Sequence, residues 1–99
     1  MTELQVIARH TMTAGKEDEV LAALAKLIDA ARDEPGCLGF VAYRQFDEPR
    51  SYVLLERYVS REAFAEHRET AHFKELLLGV IVPRLDSRTI DTFDVPEQG

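Results

Sequence analysis

Residues 56–73, ERYVSREAFAEHRETAHF, hold a strand end, a helix start and a helix break in one short passage. Glu56 and Tyr58 close an apolar run, Ser51 to Val59, in which Tyr52, Leu54, Glu56 and Tyr58 share one face of a strand. Ser60 has the short hydroxyl side chain that caps a helix, and Val59 and Phe64 occupy the flanking positions of a hydrophobic staple. The helix is predicted to run to about Arg68. Thr70 caps a second one, in which Phe73, Leu76, Leu77, Val80 and Ile81 recur at helical spacing until Pro83 stops it. An acid, a phenol and two imidazoles (His67 and His72) fall within this one passage.

Working outward, Asp47-Glu48-Pro49-Arg50 is turn chemistry, which makes Ser51–Val59 the second arm of a hairpin with a rather long loop. The first arm is Cys37–Phe46. Before it, Glu17, Asp18 and Glu19 crowd a first helical turn, where negative charge meets the positive end of the helix dipole. Val20, Leu24, Leu27, Ile28 and Ala31 then form one apolar stripe, and Pro35-Gly36 ends the helix. Leu4 to Met12 is the opening strand, with Leu4, Val6, Ala8, His10 and Met12 on one face and Gln5, Ile7, Arg9 and Thr11 on the other. Thr13-Ala14-Gly15 breaks it. Ser87–Val95 is the last strand and 96–99 a tail. The order is β-α-β-β-α-β, a single α+β domain over residues 4–95 with a ferredoxin-like four-stranded antiparallel sheet. The helices cover one face of that sheet. The other face also carries apolar side chains, so a second copy is expected against it, as a homodimer.

Bulk properties narrow the function classes. Among the 99 residues, 45% are hydrophobic and 30% charged, as in an ordinary folded domain. The formal net charge of −6 is spread evenly over both halves without a basic stripe, which argues against nucleic acid and anionic membrane as partners. Cys37 is the single cysteine, so an internal disulfide and a CxxC site are both excluded, and the thiol is expected to be an inert core group. The amino-terminal residues lack a signal-like apolar stretch, which makes a cytoplasmic protein the expectation. No glycine pattern for a nucleotide cofactor is present.

Glu56, flanked by apolar and aromatic neighbours, is either paired with a cation such as Arg9 or Arg44 or has a raised pKa suited to proton transfer. Tyr58 is either a core tyrosine or a donor to a developing oxyanion. His67 and His72 lie five residues apart, the wrong spacing for one metal on one continuous helix, so no metal site is expected. His72 sits at a helix start, where the dipole favours the neutral imidazole and thus a base.

Val6-Ile7-Ala8, Gly15-Lys16-Glu17, Glu34-Pro35-Gly36-Cys37, Glu56-Arg57-Tyr58, His67 and Ala71-His72-Phe73, in this order, resemble the antibiotic biosynthesis monooxygenase (ABM) domain family over residues 4 to 95. The resemblance implies a ferredoxin-like fold dimerised into an α+β barrel, with a pocket between sheet and helices in each subunit. Its members include cofactor-independent quinol or anthrone-type monooxygenases, haem degraders and an isomerase of a phosphorylated autoinducer-2 sugar. The haem degraders resemble one another in an Asn and a Trp, and this chain has neither residue type. Many quinol-type members carry Trp where this chain has Tyr58. The isomerase branch is similar in Tyr58 and in the layout of His67, Thr70, His72 and Phe73.

The resemblance thus implies an enzyme without metal, flavin or haem, acting on a small aromatic or quinol-type substrate with molecular oxygen. His72 or His67 removes a proton, and Glu56 and Tyr58 position the substrate or stabilise its anion. Phe40, Tyr43 and Phe73 suit a planar ligand, with Leu77 beside them, and Arg9 or Arg57 would meet a phosphate. The alternatives are the isomerase and a non-catalytic ligand-binding dimer.

Overall fold

In the computed structural model, which describes residues 2–96, β1 (Thr2–Met12) runs through the middle of a single sheet. It pairs antiparallel with β3 (Glu48–Tyr58) on one side and β4 (Leu85–Pro96) on the other, while β2 (Cys37–Gln45) pairs with β3. The order is β2-β3-β1-β4. α1 (Glu17–Arg32) follows β1, and α2 (Arg61–Arg68), a π-helix (Phe73–Ile81) and a 3-10 turn (Val82–Arg84) lead into β4. This is the predicted α+β, ferredoxin-like arrangement. No helix of the described residues is long and apolar enough to cross a membrane.

Strand alternation decides which side chains meet. The pairs Val6↔Glu56, Ala8↔Leu54 and His10↔Tyr52, with Phe40↔Glu56 on the far side, place one row of residues on the inner face. Leu4, Val6, Ala8, Met12, Phe40, Tyr52, Leu54 and Tyr58 are all buried there. Val20, Ala23, Leu24, Leu27 and Ala31 of α1 cover much of this row. Phe73, Leu77 and Ile81 join them, their four-residue spacing bringing them to one side of the wide π-helix. α1 lies against β2 and the π-helix, whereas α2 lies against β1 and β3. β4 is left exposed from Asp86 to Asp94.

The differences from expectation have local causes. The hairpin loop is only Phe46-Asp47, because Gln45 already pairs with Glu48. Pro49 is tolerated in β3 since it sits at the register irregularity between Gln45↔Glu48 and Arg44↔Tyr52, where its missing N–H costs no ladder bond. The second predicted helix is a π-helix rather than an α-helix, with the Val82 N–H bonded back to the Leu77 carbonyl. β4 starts two residues before the expected Ser87 and takes in Pro96, which faces Thr2. The remainder of the expected tail, 97–99, lies outside the described residues.

Two glycines set corners. Gly15 adopts φ 87°, the left-handed turn that releases β1 into α1, and its N–H donates to the Glu17 carboxylate at 2.6 Å. Gly36 matters more to the site. A β-carbon there would stand 2.5 Å from Cβ of Ala63, so only glycine lets the α1–β2 corner come down on α2.

Candidate active site

α2 starts as predicted, with the Ala63 N–H donating to Ser60 Oγ at 3.1 Å, and Val59 and Phe64 both pack against the buried cluster of Leu4, Val6, Tyr58 and Ala63. The helix ends at Arg68, one residue after His67. Thr70 then bridges the break: its hydroxyl donates to the His67 carbonyl at 2.7 Å and accepts from the Phe73 N–H at 3.2 Å. The chain therefore turns between His67 and His72, and both rings converge on Glu34. One oxygen, Glu34 Oε2, accepts from His67 Nδ1 at 2.7 Å and from His72 Nε2 at 2.6 Å.

That carboxylate selects the tautomer of His67. With the proton on Nδ1, the lone pair of the neutral ring is on Nε2. Nε2 has no hydrogen-bond partner among the described residues, and the ring lines a cavity of about 330 Å³. Burial pushes the His67 pKa down, although the Glu34 hydrogen bond and charge oppose it.

Val6, Ala8, Glu56, Arg88, Ile90 and Thr92 of the sheet floor the cavity. Phe64, His67 and Arg68 of α2 and Phe73 and Leu78 of the π-helix roof it. Glu56 is 5% exposed and accepts a 2.6 Å hydrogen bond from the Tyr58 hydroxyl. Burial raises its carboxyl to about 7, with the nearby Glu34 charge raising it further and Tyr58 and Arg88 opposing. A carboxyl half protonated near neutral pH can both donate and accept a proton.

Of the predicted site residues, Glu56, His67 and Phe73 line this cavity. Tyr58 stands behind Glu56 and is fully buried, and burial raises its phenol pKa far above the ordinary value. His72 is one step removed, behind Glu34. Phe40 and Leu77 belong to the core, Phe40 with its ring 5.8 Å from that of His67. Arg9 and Tyr43 are on the opposite face of the sheet, since their register partners are Val53 and, for Arg9, also Thr89. Arg9 pairs there with Asp91 at 3.6 Å, and Tyr43 is 62% exposed. Arg57 shares that outer face and is held by Glu3 and Gln5. Glu56 therefore has neither of the expected arginine partners, and Arg44 is engaged with the Pro49 carbonyl.

Glu34, Arg68 and Arg88 carry no sequence signal stronger than that of surface charges. Glu34 precedes a Pro-Gly corner, and only the fold brings it to the histidines. Arg88 was reachable by the period of β4, which puts Arg88, Ile90 and Thr92 on the face of Val6 and Ala8. The five-residue spacing of His67 and His72 and the lack of a nearby Cys or third His argue against a metal in the sequence, but they leave Glu34 out of the count. Glu34, His67 and His72 offer ligand atoms that lie within 4.8 Å of one another, the place among the described residues where a divalent ion would find an oxygen and two nitrogens. Cys37 is half-buried with its Sγ directed at the Gly39 carbonyl, and burial pushes its thiol pKa up.

Residues 4–77 match the antibiotic biosynthesis monooxygenase family. The chain belongs to that family. A solved structure described as an antibiotic biosynthesis monooxygenase superposes with a TM-score of 0.88 at 27% identity, over 95% of this chain and 99% of that one. A Shewanella oneidensis protein gives 0.87 at 28% identity, over 94% and 90%. A Mycobacterium tuberculosis protein gives 0.86 at 28%, over 98% and 97%. A protein of Synechocystis sp. is 31% identical over 62 residues, 63% of this chain but only 42% of its own length. The antibiotic biosynthesis monooxygenase match takes in Glu34, Glu56, Tyr58, His67, His72 and Phe73. It stops before β4, so Arg88 and Ile90, the strand wall of the cavity, lie beyond the matched span.

Proposed function

We propose that this chain is a cofactor-independent monooxygenase that oxidises a small quinol-type substrate with molecular oxygen, using His67 as its base. The observation that carries the reading is the Glu34–His67 pair, with Nδ1 bonded to the carboxylate at 2.7 Å and Nε2 unengaged in a ring that lines the cavity. Glu34 orients the imidazole and stabilises the imidazolium that forms when Nε2 takes a phenolic proton. His72 holds the other side of the same oxygen and keeps the carboxylate in place; it is a positioning residue. Phe64, Phe73, Leu78 and Ile90 supply the apolar walls for a planar ring.

The quinol anion is electron-rich enough to reduce oxygen directly. A ring carbon bonds to one oxygen atom, the resulting hydroperoxide loses the other as water, and the product is a hydroxyquinone. The substrate supplies all four electrons that dioxygen accepts, so the balance needs no outside reductant. Glu56, near its pKa at neutral pH, delivers the proton that leaves with the water, and Tyr58 holds Glu56 in position. The isomerase reading uses the same base and the same Glu56, with the proton returned to a neighbouring carbon. It gains weight from the two arginines at the cavity, which suit a phosphorylated sugar.

The working unit in this reading is a cytoplasmic homodimer. Ile7, Val41, Val53 and Leu55 on the outer face are only partly buried in the single chain, and Tyr43 and Phe93 are 62% and 51% exposed. A second sheet laid on that face would cover them.

Oxygen uptake by the purified protein, tested against reduced quinols and anthrones, checks the proposal. Wild type is expected to consume oxygen, and His67→Ala to lose activity by roughly 10²–10⁴-fold. His72→Ala should lose less, because it acts through Glu34. A wild-type protein that consumes no oxygen across the panel would sink the monooxygenase assignment.

A further inference from the structure

Arg9, Arg50, Arg57, Arg61 and Arg84 each form an ion pair with a carboxylate, and Arg32 and Arg44 donate to backbone carbonyls. Arg68 and Arg88 do neither among the described residues, and both line the cavity. In a chain of net charge −6, the two unengaged guanidiniums stand at the same hollow. We infer that Arg68 and Arg88 form an anion subsite, so that the substrate is a small planar or carbonyl compound carrying a carboxylate or phosphate group.

Each arginine is held from its own side. Arg68 ends α2, where the negative end of the helix dipole favours a cation, and its guanidinium lies 5.8 Å over the Phe64 ring. Arg88 projects from the inner face of β4, opposite His10 of β1. These contacts orient the two groups without neutralising them. Glu56 is the one acidic side chain in the lining, and its charge favours the Arg88 cation without forming an ion pair with it among the described residues. Its carboxyl is about half protonated at neutral pH and one of its oxygens already accepts from Tyr58. Burial pulls the Arg88 pKa down, the Glu56 charge opposes that pull, and the charge of Arg68 adds to it, so the two cations act on each other across the space between them. An anion bound by both would remove that repulsion and receive the forked, charge-assisted hydrogen bonds that guanidinium gives to carboxylate and phosphate.

The rest of the cavity divides the ligand. Its apolar wall of Phe64, Phe73, Leu78 and Ile90 takes a ring or short carbon chain, and His67 stands in the same lining. A volume of about 330 Å³ is at the small end of ligand pockets and admits one such ring with one acidic substituent. This inference rests on the cavity being the substrate site and names the substrate class for it. Whether the reaction then uses oxygen is a separate question.

The test is calorimetric binding without oxygen, so that turnover plays no part. The probes are 2,5-dihydroxybenzoate, its methyl ester, ribose 5-phosphate and ribose. In wild type the acid is expected to bind roughly ten- to hundred-fold tighter than its ester, an advantage that shrinks with added salt. Arg68→Gln and Arg88→Gln should each reduce that advantage and together abolish it. Arg61→Gln, whose guanidinium pairs with Asp94 at the surface, should leave it intact. If ribose 5-phosphate outbinds ribose while the aromatic pair shows no difference, the subsite holds and its occupant is a sugar phosphate. Equal binding of the charged and uncharged member in both pairs overturns the inference. An advantage that survives the double substitution overturns it too. A clear acid preference without oxygen uptake would retain the subsite and remove only the monooxygenase reading.

Discussion

Glu56 and His10 are buried titratable residues whose ionisation pulls stability in opposite directions. The folded protein holds the Glu56 proton up to about pH 7, whereas the group's ordinary pKa is 4.5. Its burial penalty therefore grows as pH rises through that window and is complete above it. His10 is 1% exposed and bonded through Nδ1 to the Tyr52 hydroxyl at 2.7 Å, its Nε2 has no partner among the described residues, and burial lowers its pKa from 6.5 to about 4. The unfolded chain binds that proton first as pH falls, so the His10 contribution is lost on acidification between those values. Over the shared range one slope cancels the other. Glu56→Gln, which still accepts from Tyr58, removes one of them. Its stability should climb with pH between about 4.5 and 6.5, and it should exceed wild type above pH 7 by on the order of 3 kcal/mol. Urea titrations at several pH values measure this; parallel pH profiles for the two proteins would mean that Glu56 is not held protonated. The burial of Glu56 was legible in the sequence from its apolar neighbours on one strand face, which left a cation pair and a raised pKa both open. Its partner was not, since register turns Arg9 to the other face and the Pro49 carbonyl engages Arg44, which leaves Tyr58 as the donor.

The histidines depend on how elements meet. Gly36 allows the α1–β2 corner to rest on Ala63, one turn of α2 before His67, and thereby brings Glu34 within 2.7 Å of the ring. Gly36→Ala places a methyl carbon 2.5 Å from Cβ of Ala63, a contact that only movement of the corner can relieve. The expected cost is about 1–3 kcal/mol. The same movement weakens the Glu34 contact that raises the His67 pKa, so the His67 imidazole should titrate lower than in wild type. Thermal melting and NMR titration of the ring protons read the two effects, and an unchanged melting temperature would show that the corner has slack. At this scale the sequence announced the helix caps well: Ser60 and Thr70 both do what their hydroxyls promised. It did not announce that the next helix would be a π-helix, which turns Leu78 to the cavity while Phe73, Leu77 and Ile81 stay in the core.

For the molecule as a whole, the two faces of the sheet have separate duties. The inner face is covered by helices except along β4, and that gap is the cavity. The outer face carries Ile7, Val53 and Leu55 with no helix over them among the described residues, and the proposal that a second copy buries it can be tested directly. Wild type should sediment at twice the monomer mass, and Leu55→Lys should shift it to monomer by placing a charge on the apolar face. A wild-type protein that remains monomeric across the micromolar range contradicts the homodimer. Patterning along the chain was enough for the order of elements, the α+β fold and the burial of the Tyr52, Leu54, Glu56 and Tyr58 row. Those properties follow from short-range periodicity, which records what each strand or helix must hide. It took the folded chain to bring Glu34 to His72, 38 positions further along, and to set Arg68 and Arg88 at one hollow while Arg9 and Tyr43 face away from it. A polar side chain looks the same in sequence whether it faces water or a cavity, because its surroundings are set by strand register and helix crossings among distant segments.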